Sequence, residues 1–380
     1  MKKINPKNCL MASALMLPAV ASGNGAPVDS EFSYRYSSYV EDDIADDVEL
    51  TGGVKSRYEI DVHQMRLLTL IGDDNSLEVN WLGESLSGAS PVATERTANG
   101  VGLIMSGASI SEKRQDTSVR FTHYGELFNW ALEGGVSKEN DYESSYVAGD
   151  LGFSFNAKNT SLNIGFSTAD DDLSPSDAEV FNRVLSAEKE TSSYSLSLSQ
   201  ILSPNNIILF GTSFTESEGF LTDPYKTGDS RPTTKEQSAY SVQLRSFFDA
   251  ADAALHFNYR YYSDDWKMQS DTIDIEWHQN IGTDMQLVPA IRYYSQGETF
   301  FYEPYEPDDQ PEFYSSDFRL SPYGALSLKL AFIQRFSSWS YTISYENYDS
   351  DADYSFNNVA LESPGLVDFT RLTIGFDTKW

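Results

Sequence analysis

The sequence predicts one all-β domain: a transmembrane antiparallel up-and-down β-barrel of about 16 strands, with short periplasmic turns and long acidic extracellular loops. Three observations carry this reading. Apolar residues recur with period two from Glu31 to the C-terminus, short and long connections alternate, and the last strand closes on an aromatic residue, Trp380.

The first 21 residues read as an export signal. Lys2, Lys3 and Lys7 precede the apolar stretch Leu10 to Val20, and Ala19-Val20-Ala21 supplies the small-x-small pattern of a cleavage site. The barrel domain is then expected over 22–380. The 27 basic residues less those three lysines leave 24 against 57 acidic ones, a formal charge of −33. Such a chain has no basic face for nucleic acid. Its one cysteine, Cys9, falls inside the signal, so disulfides, thiolate metal sites and cysteine catalysis are excluded from the mature protein.

The strands follow in order. Phe32, Tyr34 and Tyr36 alternate with Ser33, Arg35 and Ser37; Leu162, Ile164 and Phe166 form a later stripe, then Tyr194, Leu196 and Leu198, and then Leu255, Phe257, Tyr259 and Tyr261. Ile273, Ile275 and Trp277 face away from Asp274, Glu276 and His278, and further stripes run from Leu326 to Phe332 and from Trp339 to Tyr345. A soluble sandwich alternates too. The connections separate the two folds: turns near 72–75, 124–126, 156–159, 203–206, 249–252, 280–283 and 337–338 are short, whereas 42–56, 85–113, 170–190, 216–235, 297–315 and 350–365 are long. Outer-membrane barrels segregate loop length in this way, and a sandwich has no reason to. The final stripe Leu372, Ile374, Phe376 and Trp380 resembles the signal read by the outer-membrane assembly machinery.

Closure of the sheet dictates the side chains, because lipid offers the backbone no hydrogen-bond partners. Apolar residues then coat the outside, where Trp81, Trp130, Trp277, Trp339 and Trp380 read as girdles against the lipid and lipopolysaccharide, and polar ones line the lumen. By parity Arg120, Glu133, Arg245, Arg260, Asp274, Glu276, Arg292, Glu346 and Arg371 point inward. Arg260, Asp274 and Arg292 are expected at similar height, either to select solutes or as a salt-bridged wall. The 85–113 connection carries an apolar tract from Asn99 to Ile110, which either folds inward as a plug or forms a hairpin above the rim. Acidic tracts at 41–47, 170–172, 303–312 and 349–353 are placed in the extracellular loops, where divalent cations would bridge them to anionic head groups; none has the ordered spacing of a calcium loop.

No chemistry-bearing motif emerges. The four histidines are His63, His123, His256 and His278; His256 is expected across from Asp274 or Glu276, but no G-x-S-x-G elbow, phosphate loop or zinc-spaced cluster accompanies it. The expectation is a non-enzyme without cofactor or resident metal: a porin-like channel for small hydrophilic solutes lined by Arg120, Arg245, Arg260, Asp274, Glu276 and Arg292. The alternative is a non-conducting scaffold.

The segments GESLSGASP (Gly83 to Pro91), YRYYSDDW (Tyr259 to Trp266), RYYS (Arg292 to Ser295) and SPGLVDF (Ser363 to Phe369) resemble a bacterial family known only as a domain of unknown function, number 3570. The resemblance covers nearly the whole mature chain and implies an exported outer-membrane protein. Genes of that family lie near those for a thioredoxin-like protein and a flavin transferase, so the resemblance also implies periplasmic redox proteins as partners. It carries over no catalytic residue.

Overall fold

The computed structural model describes residues 25–98, 100–106, 110–309 and 311–380. The expected export signal over 1–21 lies outside the described residues. Strands form in chain order as β1 (Glu31–Glu41), β2 (Glu59–Leu70), β3 (Asn75–Gly88), β4 (Pro91–Thr97), β5 (Gly100–Met105), β6 (Ile110–Tyr124), β7 (Phe128–Lys138), β8 (Tyr142–Phe155) and β9 (Thr160–Leu173). They continue as β10 (Ala187–Ser203), β11 (Asn206–Gly219), β12 (Thr234–Phe248), β13 (Ala253–Asp264), β14 (Gln269–Ile281), β15 (Met285–Gln296), β16 (Tyr323–Arg335), β17 (Trp339–Asp351) and β18 (Phe369–Lys379).

All but β4 and β5 join one closed antiparallel barrel of 16 strands. Each barrel strand pairs with its neighbour in sequence, β3 pairs directly with β6, and β1 closes onto β18. The seam is sealed by reciprocal backbone bonds between Ser30 and Trp380, each 3.0 Å. The strand number and alternation expected from sequence are therefore present, and closure leaves the barrel sheet without an open edge among the described residues. β4 and β5 make a separate hairpin within the connection that the sequence assigned to one long loop.

Alternation sorts side chains between two faces. On β16, Leu328 and Leu330 are about half exposed, whereas Ser327 and Ala331 are buried on the opposite face. Apolar exposure of this kind would be costly in water, and it is what a lipid-facing wall requires. Near the short turns the outer face gathers aromatics: Phe336 stacks on Trp339 at 4.1 Å, Trp339 lies 5.9 Å from Phe376, and Phe248 lies 5.6 Å from Trp277. These rings form the girdle expected at one interface.

The barrel strands run from 11 to 17 residues, most of them longer than the roughly 9–11 a tilted strand needs to cross a bilayer. The excess extends toward the long loops and corrects three expectations. Asp349 and Asp351 of the 349–353 tract lie on β17. Asp170, Asp171 and Asp172 lie on β9 rather than in a loop, with Asp171 buried against Lys189 at 2.8 Å. Glu41 ends β1 and pairs with the buried Arg57 at 2.8 Å, so it is not part of a solvated rim.

Candidate functional site

The lumen wall is built by cross-strand register. Arg245, His256, Glu276, Ala290, Lys329, Glu346 and Arg371 follow one another across β12, β13, β14, β15, β16, β17 and β18 as successive partners. All share the parity opposite to the apolar coat, so this row is a band of mostly alternating charge along almost half of the wall. The next row toward the long loops holds Asn258, Asp274, Arg292 and Ser327. Arg260 sits one row further, opposite Thr272, so the three residues expected at similar height divide between two rows.

Most of these charges are paired. Arg292 bonds Asp274 at 2.5 Å, Arg371 bonds Glu346, and Arg120 bonds both Glu133 and Asp150. Arg245 is tied by the carbonyls of Leu244 and Phe257 and by Gln243, and Arg260 lies 5.5 Å from the centre of the Tyr262 ring. Neither forms an ion pair among the described residues. The Arg292 side chain remains 55% exposed and that of Arg371 44%, so solvent reaches the middle of the lumen. Toward the loops the wall turns aromatic, with Tyr39, Phe369 and Tyr348 in successive contact at 4.6 Å and Tyr294 5.8 Å from Tyr323.

Above that arc the long loops close over one end. The hairpin β4–β5 reaches across the opening: Leu103 exchanges backbone bonds with Glu49 and Thr51 of the β1–β2 loop, while the Val92 and Pro91 carbonyls accept from Thr227 N and Lys226 Nζ of the β11–β12 loop. Leu103 and Ala89 are fully buried there with Ile44 and Met105. On the far side Trp266, Leu221, Met268, Phe301, Tyr302 and Leu320 make a second apolar cluster from three connections. Gly88, at φ 128°, permits the turn into the hairpin, because a Cβ would meet the Arg57 carbonyl at 2.1 Å.

A buried ion cluster locks these loops. Asp317, with no exposed side-chain area, accepts from Arg319 and from Arg231 at 3.0 Å and lies 3.6 Å from Lys226; Arg319 also reaches Asp223 at 2.8 Å. Phe318 lies beneath two cations, Arg57 at 5.6 Å and Lys226 at 5.5 Å from its ring centre. Burial pushes the Asp317 carboxyl up, but Arg319, Lys226 and Arg231 outweigh it and hold the group well below the usual carboxylate range. Burial drives Lys226 the other way, below an ordinary lysine.

The histidines divide by face. His63 bonds Tyr34 Oη at 2.8 Å and His123 lies near Asn75 and Trp130, both on the outer face. His256 and His278 face the lumen and meet at Glu276, the partner of His256 in register. The period-two spacing Glu-x-His on β14, opposite a histidine on β13, was the available signal for this group. The cap residues Asp223, Lys226, Arg231, Asp317 and Arg319 carried none, because they lie in loops without periodicity.

The four segments that carried the resemblance all help to build this end. Ala89 is buried in the hairpin core, Trp266 Nε1 donates to the Thr234 carbonyl, Gln296, which follows Ser295, donates to the Arg319 and Ser321 carbonyls, and Arg57 donates to the Gly365 and Leu366 carbonyls. Residues 7–368 match the family described as a protein of unknown function (DUF3570). The chain belongs to that family. No curated protein matches it. Among solved structures, CdiB from Acinetobacter baumannii is similar at a TM-score of 0.52 and 7% identity, over 92% of this chain and 60% of that one. A BenF-like porin from Pseudomonas fluorescens Pf-5 aligns at 0.45 and 10% identity, over 93% and 98% of the two chains. The siderophore receptor PirA from Pseudomonas aeruginosa aligns at 0.44 and 11% identity over 86% of this DUF3570 chain, which spans 57% of the receptor's length. At these identities the likeness concerns the fold: an outer-membrane barrel.

Proposed function

We propose that this DUF3570 protein is a porin-like channel of the bacterial outer membrane for small hydrophilic solutes, closed at its extracellular end by a cap of loops. Delivery there would use the 1–21 leader, and the short turns would face the periplasm. The supporting observation is the pairing of a solvated, charged lumen, where Arg292 is 55% exposed, with a mouth spanned by a hairpin. Sixteen strands enclose enough width for an aqueous path unless loops fill it. The paired carboxylates and guanidiniums stiffen the wall, and Arg245 and Arg260 offer cationic surface without an ion-pair partner among the described residues.

Liposome swelling with neutral sugars of graded size tests this reading. A size-limited uptake that rises when Asp317→Ala loosens the cap supports it; no uptake by either protein contradicts it. A non-conducting scaffold is the second reading, favoured by the depth of the buried cap, and redox partners would then dock at the periplasmic turns.

A further inference from the structure

His256, Glu276 and His278 converge on the lumen wall close to the short-turn end. β13 starts at Ala253 and β14 ends at Ile281, so each histidine lies three residues from its strand end, roughly 10 Å from the mouth opposite the cap. The ligand-bearing atoms of the three side chains all lie within 4.8 Å of one another. His278 Nε2 stands 3.0 Å and His256 Nδ1 3.8 Å from the same Glu276 Oε2, and the imidazole ring centres are 4.0 Å apart.

We propose that this group is a binding site for a divalent transition ion that prefers imidazole, such as Zn2+ or Cu2+. The distances bracket the roughly 3.4 Å edge of a tetrahedron whose bonds measure about 2.1 Å. A purely structural role explains them less well. One contact is a hydrogen bond, but at 3.8 Å the other is not, and His256 has no hydrogen-bond partner among the described residues. Two imidazoles and one carboxylate form a donor set that suits zinc, copper, nickel or ferrous iron. The neighbouring wall positions are the small Ala254, opposite His278, and Ala290, opposite Glu276, and the side chains of His256, Glu276 and His278 keep 29%, 34% and 19% of their area exposed, so the cluster is open to the lumen. Three protein ligands and an open side leave at least one coordination position for water or a donor atom of a passing solute.

The neighbouring cations are Arg245, opposite His256, and Lys329, two strands from Glu276. The guanidinium of Arg245 is held by the Leu244 and Phe257 carbonyls and Gln243, and the Glu276 charge and lumen water offset its repulsion of the ion. The proposal does not depend on whether the barrel conducts, since the site lies near the short-turn end, away from the loops that form the cap among the described residues.

The test uses the folded full-length barrel in detergent, titrated with Cu2+ in millimolar Ca2+ so that acidic loops are already occupied. One equivalent of copper with magnetic coupling to two nitrogens is expected. His256→Ala and His278→Ala should each remove one nitrogen and weaken binding at least about tenfold, and Glu276→Gln should weaken it while both nitrogens remain. An oxygen-only spectrum, or an unchanged two-nitrogen spectrum in the double histidine variant, overturns the proposal. Should a variant fail to fold, protection of His256 and His278 in the wild-type barrel from diethyl pyrocarbonate by Zn2+ reads the same contact; equal modification with and without the ion overturns it.

Discussion

Asp317, fully buried in the β15–β16 loop, lies 3.0 Å from the Arg231 guanidinium of the β11–β12 loop. The bond joins loops whose nearest flanking strands, β12 and β15, are separated by β13 and β14, so it ties together two loops that are not neighbours around the rim. Removing the carboxylate strands Arg231, Arg319 and Lys226 without their common partner. Breaking one side of a buried pair costs about 3–5 kcal/mol. Asp317→Ala should therefore lower the melting temperature of the cap and expose the hairpin to protease while the strands stay folded. Proteolysis followed by mass spectrometry checks this: cleavage within 89–106 in the variant alone is the expected outcome.

The division of side chains between lipid and lumen is tested by labelling. Leu328 and Leu330 face outward, and Lys329 belongs to the lumen row between Ala290 and Glu346. Cysteines placed at Leu328 and Leu330 should react with membrane-soluble reagents and resist aqueous ones, and a cysteine at Lys329 should do the reverse. The opposite pattern would move the strand register by one residue.

Glu139, in the short connection between β7 and β8, gives a pH dependence. Burial pushes its carboxyl up to about 8 against the pull of Arg114, with Asp141, Glu112 and Glu84 adding to the rise. A raised carboxyl disfavours the folded state increasingly as pH climbs from about 4, its unfolded value, to about 8. Glu139→Gln should stabilise the barrel more at pH 8 than at pH 5, read as the temperature at which the folded band disappears on an unboiled gel. Asp317 has the opposite sign. Its depressed value contributes stability above about pH 4 that is lost as pH falls through the folded value.

Trp380 closes the barrel seam through Ser30, and the residue is 63% exposed. Exposure on this scale matches the lipid-facing coat, where Leu328 and Leu330 are about half exposed, so losing the ring removes little packing within the chain. Deleting it should reduce the folded protein in the outer membrane several-fold while export continues; membrane fractionation with periplasmic recovery separates the two.

The barrel was legible in the sequence because period two is a physical consequence of lipid on one face and water on the other. Leu328 against Lys329 shows it at single-residue resolution, and the loop lengths gave the topology. The sequence left His256 opposite Asp274 or Glu276, and the β13–β14 register, set through the 265–268 connection, makes Glu276 the partner. His278 joins them because a strand presents to one face residues two apart, a spacing unlike the helix or knuckle spacing of familiar metal motifs. The cap was illegible for a different reason. Asp317 and Arg231 are 86 residues apart in loops, and nothing local marks either one. The apolar tract near Leu103 hinted at burial, but its partners in the 42–56 and 220–233 loops are set by closure of the ring.

Single-channel recording of the purified barrel in a planar bilayer, beside a variant in which residues 89–106 are replaced by a short glycine-serine link, addresses the capped-channel account most directly. The account predicts small or infrequent steps for the wild-type protein and stable, several-fold larger steps for the variant. Large, steady conductance in the wild type, unchanged when the hairpin is removed, would contradict it.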